Sequence, residues 1–229
     1  DSSESRGLGD VYKRQEQVTG LPLATNTLGT TGIAPTSGDI DIAVDQNKIS
    51  KDELADKLTQ WAVKNKQDPK QWVKKSGISV HFKTPIKGSA NNGYVQTDLM
   101  FGDPDWMKWS LRGGEVGSEY KGSDRHVMIA SIAKPQGYKW SHKAGLLNRE
   151  TNEPITKDPN KIAELLLGKG AVGNDLNSVE TIHAKIKSRS DYDKLIVDVK
   201  DSFAKIGKTL PESSGPIKWF RNMLNAIKI

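Results

Sequence analysis

Two aspartates one residue apart stand in a short apolar run, and this run is the feature that most limits how the chain can fold. Asp39 and Asp41 alternate with apolar residues, namely Ile40, Ile42 and Val44. Because side chains on a β-strand point alternately to opposite faces, the pattern predicts a strand with both carboxylates on one face. The apolar side chains then point into a core. We therefore expect a sheet with one apolar and one acidic face.

The acidic face of this strand needs a physical explanation, because like charges on one strand face repel and aspartate is uncommon in strands. A divalent cation between the carboxylates offsets the repulsion, and carboxylate oxygens are the ligands that Mg²⁺ prefers. Upstream, Gly29 and Thr30 provide a backbone able to approach a phosphate and a hydroxyl to bond it. Taken alone, Asp39 also fits a turn residue after Ser37 and Gly38.

A third acid lies in a second strand-like run, residues 93–102, which glycines bound at both ends. Asp98 shares a face with Gln96 and Met100, and apolar residues alternate with them. Three acids on neighbouring strands would form a site for one or two Mg²⁺ ions, an arrangement that supports phosphoryl or nucleotidyl transfer. The alternative is that Asp98 is a solvent-facing residue of a half-exposed strand.

Residues 29–44 resemble the signature of the polymerase-beta-type nucleotidyltransferase superfamily, in which a glycine and a small residue precede two acids separated by a hydrophobic residue. The resemblance is closest to the palm of family X DNA polymerases, whose Ser-Gly-Asp-hydrophobic-Asp motif is present here from Ser37 to Asp41. Those polymerases carry a third aspartate on a later strand, which Asp98 matches. Further on they carry a turn that ends in Gly-Ser-Asp, here Gly122-Ser123-Asp124.

The family's thumb also has a counterpart, since its strand, turn, strand and helix follow the order of residues 146–155 and 158–168. The resemblance covers roughly residues 25–170 and implies an α+β fold. That fold is a nucleotidyltransferase palm, meaning a mixed, mostly antiparallel β-sheet flanked by helices, with a small thumb-like subdomain and a C-terminal helical region. The expected boundaries are 16–118 for the palm, 119–170 for the thumb-like subdomain and 171–229 for the helical region.

Residues 1–15 are treated separately, because they lack apolar periodicity and resemble translated library-adaptor sequence. We expect a non-native, adaptor-derived tail here, with a genuine disordered tail as the alternative. The natural N-terminus is left open.

The resemblance also implies roles for individual residues. Asp39, Asp41 and Asp98 would be the catalytic acids and would hold two Mg²⁺ ions, with Mn²⁺ as an alternative metal. The residues expected to bind the nucleotide are Gly29, Thr30, Ser37, Gly38, Lys121, Gly122, Ser123, Asp124 and Arg125. The loop from Thr31 to Thr36 lacks the arginines with which family X holds the triphosphate. Lys121 and Arg125 are therefore the nearest candidates for that task, although Arg125 also fits a solvated helix face.

The expected reaction moves a nucleoside monophosphate from an NTP or dNTP to an acceptor hydroxyl, at a nucleic-acid 3′ end, and releases pyrophosphate. Two alternatives stay open: transfer to a protein or small molecule, and a non-catalytic binding or assembly protein on the same scaffold. The net charge of +6 permits nucleic-acid contact. The resemblance does not extend to templated synthesis, because the family's positions that contact base and template fall near Val127 and Ser131, which have no equivalent polar reach.

Composition limits the remaining classes of site and location. The 229-residue chain contains no cysteine, which excludes disulfides and thiolate zinc sites. Its apolar stretches are shorter than the ~20 residues that a membrane span needs. We therefore expect no membrane partner and a cytoplasmic protein.

Capping residues predict where several helices begin. Ser50 is expected to open a helix that runs to about Asn65, and Asp103 to cap a helix instead of binding metal. Ser123 is expected to cap a helix that runs to Lys134. Helices are also predicted at residues 176–187, 191–206 and 216–227, the last two with Ser190 and Ser214 as their caps. His81 lies in a predicted strand, where we expect a packed or cross-strand partner instead of a metal ligand.

Overall fold

The computed structural model describes residues 13, 16–21, 23, 25–29, 39–115 and 117–211, and these residues adopt an α+β fold. A mixed four-stranded sheet and a three-stranded antiparallel sheet are surrounded by helices. The α+β prediction is confirmed. The adaptor-like tail lies, except for Lys13, outside the described residues, and so does the helix predicted at 216–227.

The four-stranded sheet carries the acidic runs. Its strands are β1 (Asp39–Asp45), β2 (Val73–Ser76), β3 (Ser79–Pro85) and β4 (Tyr94–Gly102). The spatial order is β1-β4-β3-β2, with β1 parallel to β4 and the other two pairings antiparallel. On the far side of β1, the backbone of residues 26–29 pairs with the strand, since Leu28 N donates to Asp41 O at 2.8 Å.

One face of this sheet forms the first hydrophobic core. Ile40 and Ile42 of β1 are fully buried there, and so is Leu99 of β4. The predicted alternation of apolar and acidic residues is therefore confirmed. The core is closed by α1 (Lys51–Lys64) and α2 (Pro69–Trp72), which supply Leu54 and Trp72.

Side-chain caps fix the start of the helices around this sheet, as predicted. Ser50 Oγ accepts a hydrogen bond from Glu53 N at the start of α1. Asp103 caps α3 (Pro104–Ser110) by accepting from the backbone of the first turn, with Pro104 at the first helical position.

The second hydrophobic core lies on the other side of the molecule. It is built from α3 and from elements of the second half of the chain: α4 (Gly122–Ala133), β5 (Tyr138–Ser141), β6 (Gly145–Asn148), α5 (Pro159–Leu167), α6 (Val179–Ile186) and α7 (Tyr192–Lys205). The strand β7 (Pro154–Thr156) pairs with β6 at the edge of the three-stranded sheet. The strand, strand, helix order predicted after residue 146 is observed in β6, β7 and α5. Residues on both sides of position 170 share this core, among them Met128, Ile162 and Phe203.

Three helix starts differ from the sequence prediction. Lys121, not Ser123, is the capping position of α4, because the Asp124 carboxylate accepts the Lys121 backbone N–H at 2.8 Å. The Ser178 hydroxyl caps α6, which therefore begins later than residue 176. Asp191, not Ser190, precedes α7. Among the described residues, no helix combines the length and the apolar character that crossing a membrane would require.

Candidate metal centre

Three carboxylates converge on the polar face of the four-stranded sheet. The parallel register of β1 and β4 places Asp41 directly beside Asp98, and Asp39 lies one pleat away on the same face. One carboxylate oxygen from each residue lies within 4.8 Å of the others. Asp39 is exposed, whereas Asp41 and Asp98 are half-buried. The structure thus brings together the three acids that the alternating pattern selected.

This concentration of negative charge perturbs Asp41 most clearly. Burial, followed by the charges of Asp39 and Asp98, raises the pKa of Asp41 to about 6, while His81 acts in the opposite direction. A divalent cation would offset the repulsion from Asp39 and Asp98, which contributes to the raised pKa of Asp41. Because all three donors are carboxylates, the set fits a hard cation such as Mg²⁺ or Mn²⁺.

Asp98 is held in place by two neighbouring side chains. His81 Nδ1 lies 2.6 Å from Asp98 Oδ1, and Gln96 Nε2 donates to the same oxygen at 3.0 Å. His81 is directly opposite Asp98 in the antiparallel register of β3 and β4. The prediction that His81 is a cross-strand partner is confirmed.

The polar face changes from acidic to basic across the sheet. One cross-strand row reads Asp41, Asp98, His81 and Lys74 from β1 to β2. In the next row, Gln96 lies between Asp39 and Lys83. A groove of about 250 Å³ runs over the basic end, and we call it the basic groove. The residues that line it are Gln71, Trp72, Lys74, His81, Phe82, Lys83 and Gln96.

A second depression, which we call the main cleft, opens beside Asp41 and measures about 340 Å³. The residues lining it are Gly29, Asp41, Ser110, Leu111, Arg112, Gly113, Gly122, Ser123, His126 and His142. Three predicted nucleotide-binding residues, Gly29, Gly122 and Ser123, therefore share one cleft with an acid of the triad. They come from segments that are far apart in the sequence.

Two glycines lie where the walls of the main cleft meet, and Gly122 is the one that the close approach requires. Gly29 has φ +61°, and a Cβ there would lie 3.8 Å from Asp41 Oδ2. A Cβ on Gly122 would lie 2.4 Å from the backbone oxygen of Arg112, so no other residue fits without a shift. Gly29 also forms a β-bridge to Arg112. The loop at Arg112 is thus anchored between the acids and the N-terminus of α4.

Arg112 is not among the residues predicted from the sequence, although an arginine followed by two glycines is a visible signal. Its guanidinium contacts Glu115 at 2.9 Å, and its Nε is buried with no hydrogen-bond partner among the described residues. It is the arginine that the cleft contains. Because the loop from Thr31 to Thr36 contains no arginine, Arg112 is the candidate for binding phosphate.

Two stacked histidines form the far wall of the main cleft. The rings of His126 and His142 lie 3.8 Å apart at 24°. Burial, followed by the nearby charges of His126 and Arg125, lowers the pKa of His142 to about 4. Burial likewise lowers the pKa of His126. Both imidazoles are therefore neutral at physiological pH. Nothing in the sequence spacing indicated that these two residues would meet.

Other predicted nucleotide-binding residues have different surroundings. Arg125 is 1% exposed, and its guanidinium donates to the backbone oxygens of Leu176 and Ser110. This enclosure corrects both the assignment of Arg125 to nucleotide binding and the solvated alternative. Asp124 is also buried, and its carboxylate accepts the Lys121 backbone N–H at the start of α4. Lys121 is exposed but does not line the main cleft.

The remaining candidates, Thr30, Ser37 and Gly38, lie outside the described residues. Comparison with known proteins finds no matching family model, no similar curated protein and no similar solved structure. The interpretation of function therefore depends on the chemistry of the acidic triad and of the two depressions beside it.

Proposed function

We propose that this chain is a metal-dependent nucleotidyltransferase built on a polymerase-beta-type palm with a thumb-like subdomain. It moves a nucleoside monophosphate from an NTP or dNTP to an acceptor hydroxyl at a nucleic-acid 3′ end and releases pyrophosphate. The observation that carries this proposal is the convergence of Asp39, Asp41 and Asp98 at the edge of the main cleft. Carboxylates in this arrangement suit in-line displacement at phosphorus.

The triad is the proposed metal site. Asp39 and Asp41 would hold the cation that binds the triphosphate, and Asp98 would join them at a second cation. Bound there, Mg²⁺ supplies Lewis-acid stabilisation of the charge that develops on the phosphate oxygens. The raised pKa of Asp41, about 6, supports a cation at this position, since the charges of Asp39 and Asp98 add to the effect of burial.

The main cleft is the proposed nucleotide site. The backbone at Gly122 and Ser123 begins a 12-residue helix, and a helix N-terminus attracts anions. Arg112 adds a positive charge on the same side. The neutral ring faces of His126 and His142 offer an uncharged wall to a base or ribose. Charge on one wall and flat, neutral groups on the other suit a nucleoside triphosphate.

The basic groove supports a polynucleotide as the acceptor. Lys74 and Lys83 lie on the same sheet face as Asp98, beyond His81 and Gln96. Phosphates of a strand whose 3′ end reaches Asp98 would therefore meet positive charge. A protein acceptor has no chain of phosphates that two lysines on the sheet face of the acids would bind.

The proposed transfer exchanges one oxygen for another at the α-phosphorus of the triphosphate. The acceptor oxygen forms a bond to the α-phosphorus, and the bond from that phosphorus to the bridging oxygen of the pyrophosphate breaks. A cation held by Asp98 would lower the pKa of the acceptor hydroxyl, and the proton released would pass to solvent. Arg112 and the N-terminus of α4 hold the phosphates in line.

The direct test incubates the protein and Mg²⁺ with each labelled triphosphate and a panel of DNA, RNA, tRNA and protein acceptors. We expect label at a nucleic-acid 3′ end. Label on protein would replace the acceptor in the proposal, and no transfer with any acceptor would contradict it.

Asp98→Asn tests the assignment of the acids. We expect transfer to fall by at least about 10²-fold, the scale for losing one group that stabilises a transition state, while nucleotide binding is largely kept. Asp45→Asn is the matched control, because it makes the same change on β1 outside the triad. Equal turnover in the two variants would exclude Asp98 from the catalytic site.

A further inference from the structure

We infer that His81 is a positioning residue for Asp98, and that with Gln96 it selects which carboxylate oxygen faces the metal. This inference rests on the proposed metal-dependent transfer. It concerns a side chain that belongs to neither the acidic triad nor the main cleft.

The geometry supporting the inference is a convergence of two donors on one oxygen. Asp98 Oδ1 lies 2.6 Å from His81 Nδ1 and accepts from Gln96 Nε2 at 3.0 Å. Because a carboxylate oxygen can only accept, the Nδ1 atom of His81 carries the proton. No other hydrogen bond of the Asp98 side chain connects it to the described residues, so Oδ2 is the oxygen left for a cation.

The two donors approach from different directions, which fixes the carboxylate plane. His81 reaches across from β3, directly opposite Asp98 in the register, whereas Gln96 lies two residues before Asp98 on β4. The side chain of Asp98 is 16% exposed and that of His81 is 29% exposed, so water competes weakly for this bond. Short hydrogen bonds to a charged acceptor are the stronger ones.

His81 does not itself complete the metal site. Within the described chain, the groups whose ligand atoms lie close enough to share a cation are the three aspartates. Its Nδ1 is already committed to Asp98, and hydrogen bonds to ligating carboxylates typically change metal affinity or activity by about 10- to 100-fold. The consequence is an indirect role, through the orientation of Asp98.

Three variants of His81 separate this role from simple packing. The side-chain amide of His81→Asn places an N–H near the position of Nδ1, that of His81→Gln places one near Nε2, and His81→Phe keeps a ring with no donor. Mn²⁺ titration by electron paramagnetic resonance measures metal binding without any need for turnover. Steady-state transfer gives kcat and the KM for the triphosphate, and circular dichroism with thermal melting verifies folding.

We expect His81→Phe and His81→Gln to weaken Mn²⁺ binding and to lower kcat by about tenfold or more. The KM for the triphosphate should stay near that of the wild type, because the main cleft is untouched. His81→Asn should recover most of both losses. Unchanged Mn²⁺ binding in His81→Phe, or equal losses in folded His81→Asn and His81→Gln, would overturn the inference.

Failure of the proposed function gives a different result. If the wild type transfers no nucleotide to any acceptor, the nucleotidyltransferase proposal fails, and the Mn²⁺ titration alone decides the role of His81. If the wild type is active and His81→Phe matches it in both measurements, only the positioning role fails.

Discussion

Asp41 shows at the scale of a single residue what it costs to build this site. It is half-buried on β1 and lies beside two other carboxylates, and this environment raises its pKa to about 6. A carboxyl whose folded-state pKa is above its unfolded value of about 3.9 destabilises the fold when it ionises. The native state binds more protons than the unfolded state between these two values. Stability therefore falls as the pH rises through this window.

Asp41→Asn should consequently stabilise the metal-free protein at neutral pH. The gain arises because the amide removes a charge that burial disfavours and that Asp39 and Asp98 repel. The difference in melting temperature should shrink as the pH falls from about 6 toward about 4. Thermal melts in a chelator across this range measure it, with Asp45→Asn as the control. Equal melting temperatures for wild type and Asp41→Asn at neutral pH would show that the ionised Asp41 carboxylate does not destabilise the fold.

The sequence predicted the acids and three residues of the main cleft, but not Arg112 or the stacked histidines, for a physical reason. Alternation along a strand is local, so the shared face of Asp39 and Asp41 could be predicted from adjacent residues. The positions of Arg112 and His142 depend on which loops lie together at the N-terminus of α4. No local periodicity in the sequence predicts this contact. Arg125 was predicted wrongly because a charged residue was expected to face the nucleotide or solvent, whereas its guanidinium is buried and donates to the backbone oxygens of Leu176 and Ser110. Its Nη2 atom has no hydrogen-bond partner among the described residues.

At the scale of elements, the position of α4 relative to the loop at Arg112 decides the shape of the main cleft. Gly122 stands at the first position of α4, and its backbone passes so near Arg112 O that a Cβ would lie 2.4 Å away. The same contact brings the N-terminus of α4 toward the acids. The sequence predicted the helix but placed its cap at Ser123, because the reach of the Asp124 carboxylate back to Lys121 is not visible from residue types alone.

Gly122→Ala should destabilise the protein, although helix propensity alone favours alanine over glycine by about 1 kcal/mol. Forcing a methyl group against the Arg112 backbone should cost about 1–3 kcal/mol, as overpacking does elsewhere. Denaturant unfolding gives the free energy of unfolding, and triphosphate binding should weaken in parallel. Ser123→Ala is the neighbouring control for stability alone, since Ser123 is exposed and lines the main cleft. A Gly122→Ala variant more stable than wild type would show that the loop moves aside freely.

At the scale of the whole molecule, the acidic triad lies where the second core stops covering the sheet. Ala43 and Met100 occupy the same sheet face as Asp41 and Asp98, but they pack against the second core. One pleat earlier on each strand, the face opens and carboxylates replace apolar side chains. The polar opening is thus bounded by the main cleft on one side and by the basic groove on the other.

The two lysines of the basic groove provide positive charge beside this opening. Replacing Lys74 and Lys83 together by Gln should weaken binding of single-stranded oligonucleotides. It should also reduce the slope of log affinity against log salt by about 1–2, because each phosphate contact releases about 0.7 counterion. The matched control replaces Lys57 and Lys200, two exposed lysines on α1 and α7. Both double variants lower the net charge equally from +6. Equal slopes in the two variants would mean that overall charge, not the basic groove, attracts the strand.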